Sequence, residues 1–299
     1  MRAARTFIML LAIAICLPLS KAQAGIMRHD VPEQDYLDFA ADSMFQSAGA
    51  VWANWDDGWH QATGVLIHPE WVLTAGHPLL GNDDLGGGIS EVRFYTGADS
   101  YQWEHKVFAD QWFAYDGYTA ARPSGTGVDL GLIHLVDPIF DIVPAEIYRG
   151  TDTRDTLMHM AGYGDHGFAG SSTSFDGLKR AGNNVANAFG GDFGYWSIEE
   201  QFWIADFELP GRAEPLEWQG APGDSGSPWF AELDGRMQLV GISSFTKGDL
   251  NYGSSTGAVR TSLYTDWIDE HVNPVPEPST LAMMLGMLPF LVGFRRRFG

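Results

Sequence analysis

Cysteine is nearly missing from this 299-residue chain: the only one, Cys16, lies in an apolar stretch near the start. The rest of the chain cannot form a disulfide, so its core must hold by packing alone. Basic residues are also scarce, with 18 Lys and Arg against 38 Asp and Glu, a formal net charge of −20. Gripping nucleic acid takes clustered cations, so that class of partner is excluded. No His-Glu-x-x-His occurs, and His60, His68 and His77 follow no metal-ligand spacing. A metal hydrolase is therefore disfavoured, and no metal or other cofactor is expected. Internal repeats are absent, and long apolar runs are confined to the two ends.

Those ends read as targeting elements. Arg2 and Arg5 precede an apolar run over 7–19, and Ala22-Gln23-Ala24 fits a small-x-small cleavage site, so residues 1–24 read as a secretory signal that carries Cys16 away. At the other end, Val275-Pro276-Glu277-Pro278-Ser279-Thr280 precedes an apolar span over 281–294 and then Arg295-Arg296-Arg297. This order resembles the PEP-CTERM sorting signal of Gram-negative bacteria. The resemblance implies a transient inner-membrane tether with the arginines on the cytoplasmic side. It also implies an exosortase-type processing enzyme that cuts near the motif, and a domain that ends at the cell surface or outside the cell. The span is shorter than the roughly 20 residues of an ordinary membrane helix. The chain thus divides into 1–24, a domain over 25–272 and a tail over 273–299. Losing both ends leaves the domain more acidic still.

Between the ends, short apolar or β-branched runs alternate with turn residues. Candidate strands cover 51–54, 63–67, 71–74, 91–95, 129–135, 157–161, 202–207, 229–230 and 238–245. Glycine clusters over 81–88 and 190–194 mark loops, and the aromatic segment 189–203 is placed to shape a cleft or cover a barrel end. Helical spacing shows over 262–272, where Leu263, Trp267, Ile268 and Val272 share a face. Many strands closing on one helix predict an all-β fold built of barrels.

Three stretches carry chemistry. Gly223-Asp224-Ser225-Gly226-Ser227-Pro228 suits a tight exposed turn that presents a hydroxyl beside backbone amides. Thr74-Ala75-Gly76-His77 puts an imidazole just past a strand end. Asp129-Leu130-Gly131-Leu132-Ile133-His134-Leu135 sets a carboxylate at the head of an apolar strand, where it is costly to bury without a partner. His, Asp and Ser in that chain order form one of the known orders of the serine-hydrolase triad.

Together these motifs resemble the chymotrypsin/trypsin family of serine endopeptidases over roughly 51–272. Ala161-Gly162-Tyr163-Gly164, Val240-Gly241-Ile242-Ser243-Ser244-Phe245 and the closing helix add to the likeness. The resemblance implies two packed six-stranded antiparallel β-barrels with a C-terminal helix. It implies that Ser225 is nucleophile, that His77 is general base and then acid, and that Asp129 orients the imidazole. Gly223 and Ser225 would supply the oxyanion hole, and Ser244 would hydrogen-bond Asp129. Gln219 would lie at the base of a substrate pocket, Thr246 and Gly257 on its walls, and Phe245 beside a bound polypeptide. Without an acid at Gln219, Lys and Arg are not the expected preference.

Some residues depart from the family pattern. Ser227 replaces a usual glycine, and no cysteine flanks His77 or Ser225. Gly25-Ile26-Met27-Arg28 is not the family's Ile-Val-Gly-Gly, whose freshly cut amino terminus pairs with the acid before the nucleophile, here Asp224. Cleavage after Ala24 does not expose Ile26. The function expected is a secreted serine endopeptidase acting through an acyl-enzyme; the alternative is a catalytically silent trypsin-like fold serving as a surface or matrix binding module.

Overall fold

A computed structural model describes residues 25–81, 88–119, 127–151, 154–190 and 201–273. The expected secretory signal and all but one residue of the expected tail lie outside the described residues, as does most of the aromatic segment 189–203. Within the described residues, no helix is long and apolar enough to cross a membrane.

The chain enters through β1 (Gly25–Met27) and a short helix, α1 (Glu33–Ala40). Next come β2 (Ala48–Trp55), β3 (Gly58–His68), β4 (Trp71–Thr74), β5 (Ile89–Thr96), β6 (His105–Ala114) and β7 (Gly131–Leu135). They close into an antiparallel barrel in the order β2-β3-β4-β7-β6-β5. The second half holds β8 (Thr156–Gly162), β9 (His166–Phe168), β10 (Arg180–Gly190), β11 (Phe202–Asp206) and β12 (Trp218–Gln219). It ends with β13 (Pro228–Leu233), β14 (Arg236–Lys247), β15 (Ser255–Arg260) and the helix α2 (Thr265–Val272). A second closed barrel runs β10-β11-β15-β14-β13-β8, and β1 lies between β12 and β9 in a small separate sheet. The expectation of two six-stranded barrels and a terminal helix is met.

The packing explains why some strands were plain in the sequence. In β4, Val72 faces the core of the first barrel while its neighbour Leu73 faces the core shared between the barrels. Leu132 and Ile133 in β7 divide in the same way. A strand buried on both faces reads as an unbroken apolar run. The shared core takes in Phe45, Phe202, Phe230 and Ile242, and α2 covers it with Trp267 and Ile268. Tyr163 ties the barrels further, its hydroxyl donating to the Gly97 carbonyl at 2.6 Å from a buried position.

One expectation needs correction, and one element was not anticipated. Residues 261–264 form a tight 3-10 turn, so the helix begins only at Thr265, and Leu263 is half exposed rather than on the packed face. The helix α1 was not foreseen. Its inward residues are Tyr36 and Ala40, four apart, and Glu33 meets the buried Arg180 of β10 at 2.6 Å.

Candidate active site

The cleft sits where the barrels meet. From the first barrel, Gly76 ends the turn after β4 and delivers His77, while Asp129 stands just ahead of β7, the strand paired with β4. From the second, the turn between β12 and β13 delivers Ser225. A cavity of about 350 Å³ is lined by His77, Tyr118, Gly220, Ser225, Thr246 and Thr256, among others.

The three side chains form one hydrogen-bonded line. The His77 Nδ1 to Asp129 Oδ2 distance is 2.9 Å, and His77 Nε2 to Ser225 Oγ is 2.7 Å. An ionised carboxylate can only accept, so Nδ1 carries the proton and donates it. Nε2 is then bare and accepts from the Ser225 hydroxyl. Asp129 is only 1% exposed, yet every lobe of its carboxylate is used. Oδ1 accepts from the Gly76 and His77 amides at 2.8 and 2.9 Å, and Oδ2 also accepts from Ser244 Oγ at 2.5 Å. Burial by itself would push this carboxyl up. Electrostatic attraction to His77 and the bonds from His77 and Ser244 outweigh it and hold Asp129 below the ordinary carboxylate range.

The turn that carries Ser225 is anchored on β3 and β14. Thr63 N–H donates to the Ser225 carbonyl at 2.8 Å, and Gly226 N–H to the Ser243 carbonyl at 2.8 Å. Gly226 has φ +87°, and a Cβ there would lie 2.0 Å from the Thr63 carbonyl oxygen, so only glycine fits. Gly223 also has positive φ, +90°. The amides of Ala221, Asp224, Gly226 and Ser227 all have protein acceptors. Among the described residues, the amides of Gly223 and Ser225 have none, which leaves two donors beside the hydroxyl. Ser227 fits in place of glycine, fully buried, with its hydroxyl unpaired.

The specificity residues divide. Thr246 and Phe245 line the cleft, and so does Ser244 while it holds Asp129. Gln219 and Gly257 are not among the lining residues. Gln219 is sealed in β12, paired with Ile26, while its neighbour Gly220 and Thr256 line the cleft. Gly257 lies beneath the Phe245 ring, whose Cζ would be 2.3 Å from a Cβ there. Sequence reasoning missed Tyr118 and Thr256. Tyr118 comes from a loop without a motif, and only the pairing of Thr256 with Thr246 across β14 and β15 brings it to the cleft.

Asp224 is fully buried and accepts from the Gly164 and Ala221 amides at 2.8 and 2.9 Å. Burial pushes its carboxyl up to about 7. No ion pair reaches it among the described residues. The Gly25 amide lies near this loop, donating to the Asp165 carbonyl at 2.6 Å, while Ile26 is held in the β1–β12 pairing. No group of three His, Cys, Asp or Glu among the described residues is placed to hold a metal ion.

Comparison with known proteins agrees with this fold. The family model for trypsin matches residues 46–268. Urokinase-type plasminogen activator of Gallus gallus is 24% identical over 226 residues, which is 71% of this chain and 51% of that protein. The chain thus spans about half the length of this relative. A solved structure of HL collagenase superposes with a TM-score of 0.58 at 19% identity, covering 76% of this chain and 94% of the other, and supports the fold alone. With three-quarters of its length inside the family model, both barrels closed and the shared core in place, this chain belongs to the trypsin family.

Proposed function

We propose that the chain is a serine endopeptidase that cleaves polypeptides through an acyl-enzyme on Ser225. The observation that carries this reading is the Ser225 hydroxyl donating to a bare His77 Nε2 at 2.7 Å in an open cleft. Ser225 Oγ attacks the scissile carbonyl carbon while His77 takes the hydroxyl proton, and Asp129 stays ionised to stabilise the imidazolium. The carbonyl oxygen becomes an oxyanion that accepts from the Gly223 and Ser225 amides. As the C–N bond breaks, His77 returns the proton to the leaving amine, and the acyl group remains as an ester on Ser225. Water then attacks that ester, giving its proton to His77; as the intermediate collapses His77 passes that proton to Ser225 Oγ, and release of the carboxylic acid product restores both residues.

The acyl-side pocket is bounded by Gly220, Thr246 and Thr256. Asp224 also borders it, but its carboxylate is occupied by two backbone amides. A pocket without a free acid selects uncharged side chains, and the acidic surface draws cationic substrates only at long range. Profiling against a peptide library should show internal cleavage after small or medium uncharged residues. Dominance of Arg and Lys before the scissile bond, or no cleavage, would refute it.

The same reading gives the amino terminus a role. Cleavage after Ala24 would turn the Gly25 amide into an ammonium where it meets Asp165, whose own amide donates to Pro222 of the Asp224 loop, and so offset the buried Asp224 charge. With residues 1–24 attached, that offset is lacking. Asp224 then titrates near 7 in the folded chain and near 4 when unfolded. The folded state binds the extra proton, so stability is full below about pH 4, declines as pH rises to about 7 and is level above. The loss is on the order of 4 kcal/mol. Thermal melts of the uncut chain should show this slope, and a chain starting at Gly25 should lack most of it. Equal slopes in the two forms count against the pairing.

The tail over 273–299 is proposed to tether the domain briefly at the inner membrane until an exosortase-type enzyme cuts near Pro276–Pro278. Mass spectrometry of the exported protein is expected to find 281–294 removed. An exported form that keeps them is better explained by an ordinary anchor.

A further inference from the structure

Strand β3 runs past the nucleophile turn, and none of its residues lines the pocket of Gly220 and Thr256. Thr63 bonds to both Gly223 and Ser225, and the Gln61 carboxamide lies against Gly223, its oxygen 2.3 Å from where a Cβ would stand. The next residue on that face is Trp59. Across the sheet, Trp52 pairs with Gln61 and Arg93 pairs with Trp52. The neighbours Val51, Ala53, Val92 and Phe94 fill the barrel core, so Trp52, Trp59, Arg93 and Tyr95 occupy its outer face. Outer positions of a small barrel are normally polar.

Here they form an aromatic basin. Trp52, Trp59, Arg93, Tyr95, Tyr101 and Trp103 line an open cavity of about 350 Å³. Trp59, Tyr101 and Trp103 remain 41%, 57% and 45% exposed. Cations keep the rings upright: the Arg93 guanidinium lies 4.3 Å from the Trp59 ring centre, and the Lys106 ammonium 5.2 Å from that of Trp103. An exposed group of this kind marks a binding surface.

We infer that this basin is a leaving-side subsite that receives an apolar or aromatic side chain of the substrate a few residues beyond the scissile bond. The inference rests on the endopeptidase reading above. A polypeptide whose acyl side fills the Thr246–Thr256 pocket crosses Ser225 and meets Gln61 on the far side of Gly223. Trp59 lies two residues further along β3, and an extended chain covers about 3.3 Å per residue. The basin is therefore reached about two to four residues past the cut. Gln61 touches Gly223 of the Ser225 turn and pairs with Trp52 of the basin, and this link favours a polypeptide over any ligand that would bind the basin by itself.

Two peptide substrates of the full chain separate the outcomes, with the same acyl side and either Phe or Ser three residues after the scissile bond. A small activated ester with no leaving-side residues is the control. The Phe substrate should be preferred by about ten-fold in kcat/KM. Trp59→Ser, Trp103→Ser and the double variant should reduce that preference stepwise to about two-fold or less while ester turnover stays as in the unaltered chain. Binding of the free product-side peptide to Ser225→Ala, followed by tryptophan fluorescence, reports on the basin without catalysis and should be lost in the same variants. Equal kcat/KM for the two peptides, or a preference that survives in the double variant, overturns the subsite. If the product-side peptide binds but no ester or peptide is turned over, the endopeptidase reading fails, and with it the leaving-side assignment.

Discussion

Replacing Ser225 by alanine is expected to remove ester and peptide hydrolysis by about four to six orders of magnitude while the fold persists. The Ser225 side chain donates one hydrogen bond, to His77, and the surrounding turn is held by backbone bonds from Thr63, Gly226 and Ser227 that the change leaves in place. His77→Ala should cost about as much, because Ser225 then has no acceptor for its proton. The two losses should not add, since each residue works only through the other. Thermal melts together with kcat/KM for an activated ester check both statements. Turnover near the unaltered level in a folded Ser225→Ala chain would rule out the covalent mechanism and favour a silent binding fold.

Asp129→Asn is expected to lower kcat by about four orders of magnitude with little change in geometry. The amide can present its NH₂ toward His77 Nδ1, which would drive the ring proton to Nε2, where it blocks acceptance from Ser225. The amide would also strain the site, because Oδ1 takes two backbone donors and Oδ2 a third from Ser244. If the oxygen stays with the Gly76 and His77 amides, the NH₂ must face both His77 and Ser244. Ser244→Ala is the milder neighbour. It removes one donor from a buried carboxylate and should lower activity far less than Asp129→Asn. Turnover of an activated ester distinguishes them: Ser244→Ala leaves the Nδ1–H tautomer of His77 favoured and should keep most of the activity that Asp129→Asn loses.

The candidate site was legible in the sequence because the proposed chemistry needs particular residues in short contiguous runs. Only glycine fits at Gly226, the acid at Asp129 must head the apolar strand that pairs with β4, and His77 must follow directly on that strand. Each constraint is local, so each leaves a motif. The cleft walls were harder to read. Thr256 and Tyr118 reach the cleft through pairings and loops that no local pattern encodes, and Gln219, aligned by position alone, turned inward to β12.

The strands show the same division. Those buried on both faces, such as β4 and β7, stood out, while β6 and β10 did not. β6 carries Lys106, Asp110 and Gln111 on a largely solvated surface, and β10 is interrupted by Gly182, Asn183 and Asn184. The outer aromatics of β2 and β3 read as core residues in a sequence, and only barrel closure shows that they point out.

The central claim is that His77 activates the Ser225 hydroxyl for covalent attack. It is tested most directly by incubating the folded protein with a fluorophosphonate and mapping the adduct by mass spectrometry. The account predicts one phosphonyl group per chain, carried on Ser225, with labelling absent in Ser225→Ala and strongly slowed in His77→Ala. A folded, unaltered chain that stays unlabelled, or an adduct on any other residue, would contradict it.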